Sequence, residues 1–278
     1  MIRDILVNLT NGGARDAAGE FAIHLAGRLS ANLTGLAVTY EMEVPPFYMG
    51  ALPTDFIDAQ IKENEEAALK AAERFSHEAS AAGIVYETRT LSASLGIAAN
   101  RFASMARLFD LTVVAQPDPD RPGPEEVIAE TVLMDSGRAV MLVPYVQTQP
   151  LGTGRAVIAW DGSRAAARAL NEGMPLLHQA KAIEVLSIIR GNEDEDSFEG
   201  CAEVARHLAR HGLKADVHKL HIGAGQQVAD TILNEVSDQG ADFVIMGGYG
   251  HSRLKELVMG GVTREILDTM TVPVLMAH

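Results

Sequence analysis

The chain has 278 residues, of which 47% are hydrophobic and 22% are charged, the balance of an ordinary globular protein. Its formal net charge is −14, and such a surface repels nucleic acids and anionic membranes, so we exclude both as partners recognised through bulk charge. The single cysteine, Cys201, excludes an intramolecular disulfide and a thiolate zinc cluster. The apolar run at the amino terminus is too short for a signal peptide, so we expect a cytoplasmic protein.

The first half of the chain alternates short apolar runs with helical patterns. Strands are predicted at 4–10, 33–40, 84–91, 111–115 and 139–144, and helices at about 14–30, 55–82, 96–109 and 125–137. An insertion at 41–56, rich in prolines and aromatic residues, is either an ordered loop that covers a site or a plain surface loop. The polar segment 146–154 is the predicted linker to the second half.

The second half repeats the same order of elements. Strands are predicted at 156–162, 182–189, 214–222, 243–247 and 272–277, and helices at about 163–180, 198–211, 226–239 and 254–269. Alternating strands and helices imply crossover connections, and therefore a parallel sheet that is covered on both faces. We predict an α/β chain of two tandem doubly wound domains, 1–146 and 155–278, each a five-stranded parallel sheet with helices on both faces. Helix C-caps are expected at Gly83, Gly212 and Gly240.

A glycine-rich stretch, VIMGGYGHSRLKELVMGG at 244–261, follows the fourth strand of the second half. In an open parallel sheet, ligands bind beyond the carboxyl ends of the strands, where the winding changes direction. Gly247 and Gly250 allow a tight turn there, and Gly260 and Gly261 lie near the start of the last helix, where free N–H groups favour an anion. His251, Arg253 and their polar neighbours add positive charge. These features fit a phosphate site and a purely structural turn equally well.

The spacing G-x2-G-x9-G, formed by Gly247, Gly250 and Gly260, resembles the nucleotide-binding motif of the universal stress protein family. The stretch VIAWDGSRAAARAL at 157–170 is similar to the opening strand and helix of that family, and 244–278 is similar to its closing segment. The resemblance is strong over 155–278 and rests only on the order of elements over 1–145. It implies a tandem two-domain member with the adenine nucleotide alpha hydrolase-like fold.

The resemblance also implies a site for an adenine nucleotide, ATP or AMP with or without Mg²⁺, in the second half. The residues it assigns to this site are Asp161, Ile188, Met246, Gly247, Gly250, His251, Arg253, Gly260, Gly261, Val262 and Thr263. Of these, Asp161 corresponds to the residue that contacts adenine. The motif of the family ends in G-[ST], whereas Gly261 stands at the hydroxyl position here, and one lost hydrogen bond costs about 0.5–1.5 kcal/mol. Thr263 is the candidate to replace that hydroxyl.

The first half departs from this pattern. Its fourth strand leads into AQPDPDRPGPEE at 115–126, which places prolines and carboxylates where the glycines would be. Proline has no N–H to offer a phosphate, and Asp118 and Asp120 would repel one. Thr10 stands where Asp161 stands in the second half. We therefore expect the first half to have lost the nucleotide site and to serve in packing.

Other chemistry finds little support in the sequence. Neither a Walker motif nor a G-x-S-x-G elbow occurs, which argues against a P-loop ATPase and an α/β-hydrolase. His207 and His211 share a predicted helix face close to His218 and His221, so a zinc or nickel site is one interpretation. The last two lie an odd number of residues apart on a predicted strand and point to opposite faces. We therefore favour surface histidines and predict no metal site.

The function implied by the resemblance is that of a stress-response protein with a regulatory role, no catalytic residues and at most slow ATP hydrolysis. The alternatives are a nucleotide-free scaffold or signalling adaptor that acts through protein contacts and, third, a nucleotide-processing enzyme. In this family the fifth strands commonly meet across a twofold axis. Strands 139–145 and 272–277 are therefore expected to pair within one chain as a pseudo-dimer, and further association into a homodimer is left open.

Overall fold

The computed structural model describes residues 1–12, 15–42, 54–118, 120–121, 123–190, 200–223, 225–249 and 261–278. The strands in these ranges are β1 (Asp4–Asn8), β2 (Asn32–Tyr40), β3 (Tyr86–Ala93), β4 (Leu111–Ala115), β5 (Val140–Val143), β6 (Arg155–Ala159), β7 (Ala182–Arg190), β8 (Asp216–Ile222), β9 (Phe243–Gly247) and β10 (Val274–Ala277). The helices are α1 (Ala17–Leu29), α2 (Thr54–Ala81), α3 (Leu95–Ala106), α4 (Glu125–Asp135), α5 (Arg164–Leu177), α6 (Gly200–Arg210), α7 (Val228–Asp238) and α8 (Val262–Thr269). The alternation confirms the predicted α/β class.

The chain divides into two compact units. The first unit is Ile2–Ser136, and the second unit is Gly137–His278 together with Met1. In the first unit the strands run in the order β3-β2-β1-β4, and all the pairs among them are parallel. The strands at the centre of this order are buried along almost their whole length, whereas β3 is largely exposed. The continuous apolar runs of β1 and β4 therefore form the core of the first unit.

The second unit has the strand order β5-β10-β9-β6-β7-β8. Its pairs are parallel with one exception, because β5 and β10 run antiparallel with Leu142 opposite Val274. The predicted pairing of strands 139–145 and 272–277 is thereby confirmed. Strand β5 lies within the compact second unit, although it directly follows α4, the last helix of the first unit.

The predicted helix C-caps are confirmed. Gly83, Gly212 and Gly240 have φ angles of +67°, +78° and +57°, which residues with a Cβ adopt only under strain. After Gly212 and Gly240 the next N–H reaches back to a helix carbonyl: Leu213 N lies 3.0 Å from Leu208 O, and Ala241 N lies 2.9 Å from Val236 O. This pattern is typical of a Schellman end.

Strands β1 and β6 end earlier than the predicted 10 and 162. Strand β1 stops at Asn8 and β6 at Ala159, although Leu9 N and Trp160 N still donate to Leu36 O and Leu186 O of the neighbouring strands. Just beyond these bonds, an aspartate side chain accepts a backbone N–H. Thr10 N donates to Asp16 Oδ2 at 3.1 Å, and Ser163 N donates to Asp161 Oδ1 at 2.9 Å. Side-chain acceptors of this kind compete with the ladder of a sheet and turn the chain.

Two predictions fall partly on residues that the structure does not describe. The helix predicted at 254–269 is present as α8, but residues 250–260 lie outside the described ranges, and so does 43–53 of the predicted insertion. No helix in the described part of the chain combines the length and the apolar character needed to cross a bilayer.

Candidate functional site

The carboxyl edge of the sheet in the second unit contains the point where the winding reverses. The chain passes from β6 outward through β7 to β8 and then returns to place β9 on the other side of β6. Ala159 and Met246 pair at the ends of β6 and β9, so the two strands leave the sheet side by side. Asp161 follows the first of these strands and Gly247 closes the second. The two predicted residues therefore flank the switch point, where open α/β sheets bind ligands.

The start of α5 holds Asp161 in place. Ser163 caps the helix, and its Oγ accepts a hydrogen bond from Ala166 N at 3.0 Å. Ser163 N in turn donates to Asp161 Oδ1 at 2.9 Å, while Gly162 between them adopts a φ of +75°. The carboxylate of Asp161 is exposed, because Ser163 has taken over the capping of the helix.

Gly247 is required by the packing of α5 against β9. A Cβ at this position would lie 2.6 Å from Ala166 N and 3.0 Å from the carbonyl carbon of Ala165. Both are backbone atoms, which cannot move aside as a flexible side chain does. The first glycine of the motif therefore has a structural reason of its own, apart from any ligand.

Thr263 ties the glycine-rich stretch to α8. Its side chain is almost fully buried in the first turn of that helix, and its Oγ1 accepts a hydrogen bond from Tyr249 N at 2.9 Å. One residue earlier, Gly248 N donates to Ala277 O at 2.9 Å. These two contacts bring the chain that leaves β9 onto the amino end of α8.

The amino end of α8 presents the backbone N–H groups of a helix start. Gly261 occupies the N-cap position, where the described residues supply no capping side chain, and its carbonyl accepts from Glu265 N at 3.1 Å. The first N–H groups of a helix have no intrahelical partner, and the helix dipole adds partial positive charge. The arrangement suits an anion.

The residues assigned from the sequence are placed as follows. Asp161, Gly247, Gly261, Val262 and Thr263 all lie at the carboxyl edge of the second unit. Ile188, in the carboxyl half of β7 opposite Leu220, is half-buried. Met246 is only 5% exposed, which leaves little of its side chain to contact a ligand. Gly250, His251, Arg253 and Gly260 lie outside the described residues, so their roles stay predictions.

Trp160 was not assigned from the sequence, although it is the only tryptophan in the chain. It comes directly before Asp161, and its buried Nε1 has no hydrogen-bond partner among the described residues. A Cβ at Gly200, where α6 begins, would lie 2.8 Å from this nitrogen. Its position directly before Asp161 at a strand end was the signal in the sequence that could have made it a candidate site residue.

The first unit has carboxylates at the equivalent edge. Asp16 Oδ1 accepts from Gly19 N at 2.9 Å, Asp16 Oδ2 accepts from Thr10 N at 3.1 Å, and burial raises the pKa of this carboxyl group. Glu125 opens α4, which follows β4 as α8 follows β9, and burial raises its pKa too, with Asp16 and Asp118 contributing. The helix start that would attract an anion already faces acidic groups.

Comparison with known proteins finds similarity to universal stress proteins. The model of the universal stress protein family matches residues 153–278. Universal stress protein Slr1230 of Synechocystis sp. is 27% identical over 123 residues, which span 44% of this chain but only 41% of that protein. Universal stress protein YxiE of Bacillus subtilis is also 27% identical, over 44% of this chain and 97% of its own length.

Among solved structures, a universal stress protein from Archaeoglobus fulgidus matches with a TM-score of 0.73 and 17% identity, over 98% of this chain and 97% of that one. A putative universal stress protein from Pseudomonas aeruginosa matches with a TM-score of 0.62, also at 17% identity, over 99% of this chain and 92% of its own. At these identities the likeness shows the fold alone.

Proposed function

We propose that this chain, whose residues 153–278 match the universal stress protein family, binds an adenine nucleotide, ATP or AMP, in its second unit, in a regulatory rather than a catalytic role. The observation that carries the proposal is the switch point between β6 and β9, flanked by Asp161 and Gly247. The start of α8, where the described residues supply no capping side chain, is the next described element along the chain. These features provide one polar anchor for a base and one cluster of backbone donors for phosphates.

Asp161 is the proposed anchor for adenine. Because Ser163 N holds one carboxylate oxygen, the exposed side chain is oriented before any ligand arrives. A carboxylate accepts hydrogen bonds and does not donate them, so it suits the exocyclic amine of adenine. Ile188, half-buried on the neighbouring strand, supplies apolar surface beside it.

Backbone N–H groups at the start of α8 are the proposed donors for the phosphates. The chain has a formal net charge of −14, so an anionic ligand needs local donors that overcome the global field. Gly261 offers no hydroxyl, and Thr263, the candidate to replace it, has an almost fully buried side chain that accepts a hydrogen bond from Tyr249 N. We assign Thr263 to holding the loop, and we expect an affinity several-fold below that of members with the complete motif.

The groups described at this edge favour a regulatory role. Ser163, the hydroxyl nearest to Asp161 in sequence, accepts the capping hydrogen bond from Ala166 N. Within the described ranges, no hydroxyl or thiol at the edge is paired with a histidine or carboxylate base as an activated nucleophile requires.

The test uses the tag-free full-length chain. Acid denaturation followed by ion-exchange chromatography measures the nucleotide that co-purifies, and calorimetric titration measures the affinity for ATP and AMP. We expect one nucleotide per chain. Asp161→Ala should weaken binding by about 10-fold or more, because a hydrogen bond to a charged group contributes about 1.5–3 kcal/mol.

Thr10→Ala, at the equivalent position of the first unit, is the matched control and should leave the affinity unchanged. A preparation that holds no nucleotide and does not bind ATP at millimolar concentration would refute the proposal and favour the scaffold alternative. A loss of binding in Thr10→Ala alone would place the site in the first unit.

A further inference from the structure

Three side chains of the types that ligate metals meet on one side of the sheet in the second unit. They are Glu184 on β7, His218 on β8 and Glu235 on α7, and one ligand atom from each lies within 4.8 Å of the others. His218 Nδ1 lies 2.8 Å from Glu235 Oε1 and 3.7 Å from Glu184 Oε1. The imidazole therefore stands between two carboxylates.

The two carboxylates are unusually buried. Glu184 is 4% exposed and Glu235 is 9% exposed, and groups of this kind are rarely buried so deeply unless a partner compensates for the lost hydration. Glu235 Oε1 has two hydrogen-bond partners, His218 and Gln239 Nε2, the latter at 2.9 Å. Glu184 Oε1 has no hydrogen-bond partner among the described residues. This buried carboxylate oxygen of Glu184 therefore lacks a hydrogen-bond partner. A cation at the centre of the cluster would interact with it directly.

We propose that Glu184, His218 and Glu235 bind a zinc ion. Zinc accepts imidazole nitrogen and carboxylate oxygen at about 2.0–2.2 Å, so neighbouring ligands of a tetrahedral site lie about 3.3 Å apart. The two measured spacings, 2.8 and 3.7 Å, lie on either side of that value. The side chain of His218 is 40% exposed, which leaves a route for the ion and for a water molecule as fourth ligand.

The donor set selects zinc over the hard cations. Calcium and magnesium take six or more oxygen ligands, whereas three protein ligands that include an imidazole suit a first-row transition ion. Arg155 Nη1 lies 3.7 Å from Glu184 Oε2, the oxygen that faces away from the histidine, and it orients this carboxylate from outside the cluster. Two carboxylates and one guanidinium leave a single negative charge for the ion to offset.

The cluster is remote from the proposed nucleotide site. Glu184 is the third residue of β7 and Arg155 is the first of β6, so the cluster lies toward the amino edge of the sheet, whereas Asp161 and Gly247 lie at the carboxyl edge. Zinc here would join β8, the last strand in the order, to β7 and α7. The zinc proposal does not depend on the nucleotide proposal.

The sequence favoured a surface position for His218. That interpretation is incomplete, because the Nδ1 atom of the ring contacts the buried carboxylates of Glu184 and Glu235. The two glutamates come from elements far from His218 in sequence, so only the fold brings the three together.

The test uses tag-free, metal-stripped, full-length protein titrated with zinc chloride in competition with a chromophoric chelator, with and without ATP. We expect one zinc ion per chain in both cases. Losing a partner outside the coordination sphere weakens metal binding about 10–100-fold, so removing a direct ligand in His218→Gln or Glu184→Gln should weaken it by about 100-fold or more. Zinc should raise the Tm of the wild type and leave the Tm of these variants unchanged.

His207→Gln is the matched control, because His207 and His211 on α6 have ring centroids 4.7 Å apart and form the rival histidine pair. Retained affinity in this variant supports the proposal. Loss of zinc from His207→Gln, with normal binding by His218→Gln and Glu184→Gln, overturns it. X-ray absorption of the zinc-loaded wild type decides the matter even if the variants fail to fold: one imidazole with oxygen ligands supports the site, and two imidazoles contradict it.

Discussion

Replacing Gly247 with alanine tests whether the first glycine of the motif serves packing. The new Cβ would lie 2.6 Å from Ala166 N, and ordinary contact begins at 3.4 Å, so β9 and α5 must separate locally by 3.4 − 2.6 = 0.8 Å. Overpacking of this kind costs about 1–3 kcal/mol, and the loss of glycine flexibility in the unfolded chain returns about 0.4–1 kcal/mol. We therefore expect a net destabilisation of about 1–2 kcal/mol.

The assay is urea unfolding followed by the fluorescence of Trp160, the single tryptophan, which reports on the second unit. With a slope of about 2 kcal/mol per molar urea, the midpoint should fall by about 0.5–1 M. Gly223→Ala is the matched control, because a Cβ there meets only Gln226 Oε1 at the ordinary distance of 3.6 Å. An unchanged midpoint for Gly247→Ala, or an equal fall for Gly223→Ala, would refute the packing argument.

Three further predictions test residues at three helix starts, those of α4, α8 and α5. Burial raises the pKa of Glu125, so the folded first unit holds this proton more tightly than the unfolded chain, and stability falls as the pH rises from the ordinary value of 4.5 through the folded value. Glu125→Gln should therefore raise the Tm at pH 7 and flatten its pH dependence in thermal melts; a lower Tm at pH 7 would contradict this. Thr263→Val removes the acceptor of Tyr249 N and should cost about 1–3 kcal/mol in urea unfolding, with Thr263→Ser restoring most of it, whereas equal losses in both would show that the methyl group matters instead. Ser163→Ala removes the cap on Ala166 N and should cost about 1 kcal/mol in the same assay; Ser163→Asp, another good cap, should recover it.

The order of elements was predictable because buried parallel strands read as continuous apolar runs. Strands β4 and β9 have the predicted bounds, since turn residues flank both runs. The ends of β1 and β6 were missed, and just beyond them Asp16 and Asp161 accept backbone N–H groups in contacts that form only once the chain has turned. The hydrophobic pattern of the sequence, from which the strands were predicted, does not encode such contacts between side chain and backbone.

The candidate site was predictable only in part. Gly247 was identified correctly as a position that needs glycine, but the sequence cannot distinguish the approach of a phosphate from the approach of α5. Thr263 was noticed for its hydroxyl, whose actual partner, Tyr249 N, depends on how the chain leaves β9. Glu184, His218 and Glu235 meet only through the packing of two strands and a helix, which no local pattern encodes.

The two units handle the end of their first strand differently, and this difference explains why only one is expected to bind a nucleotide. In the second unit Ser163 caps α5, which leaves the carboxylate of Asp161 exposed at the edge. In the first unit Asp16 both caps the helix and binds the chain that leaves the strand. One of its carboxylate oxygens accepts from Gly19 N in α1, and the other accepts from Thr10 N. Both oxygens of this carboxylate therefore bond to backbone N–H groups, and the side chain is buried.

Glu125 adds a second acidic group at the start of the helix that follows β4, near the charge of Asp16. The first unit thus differs from the second by more than the presence of Thr10 in place of an aspartate. The capping group, the exposed acceptor and the groups at the helix start all differ between the two units. An anion entering the first unit there would meet acidic groups, and Coulomb repulsion between like charges disfavours that approach.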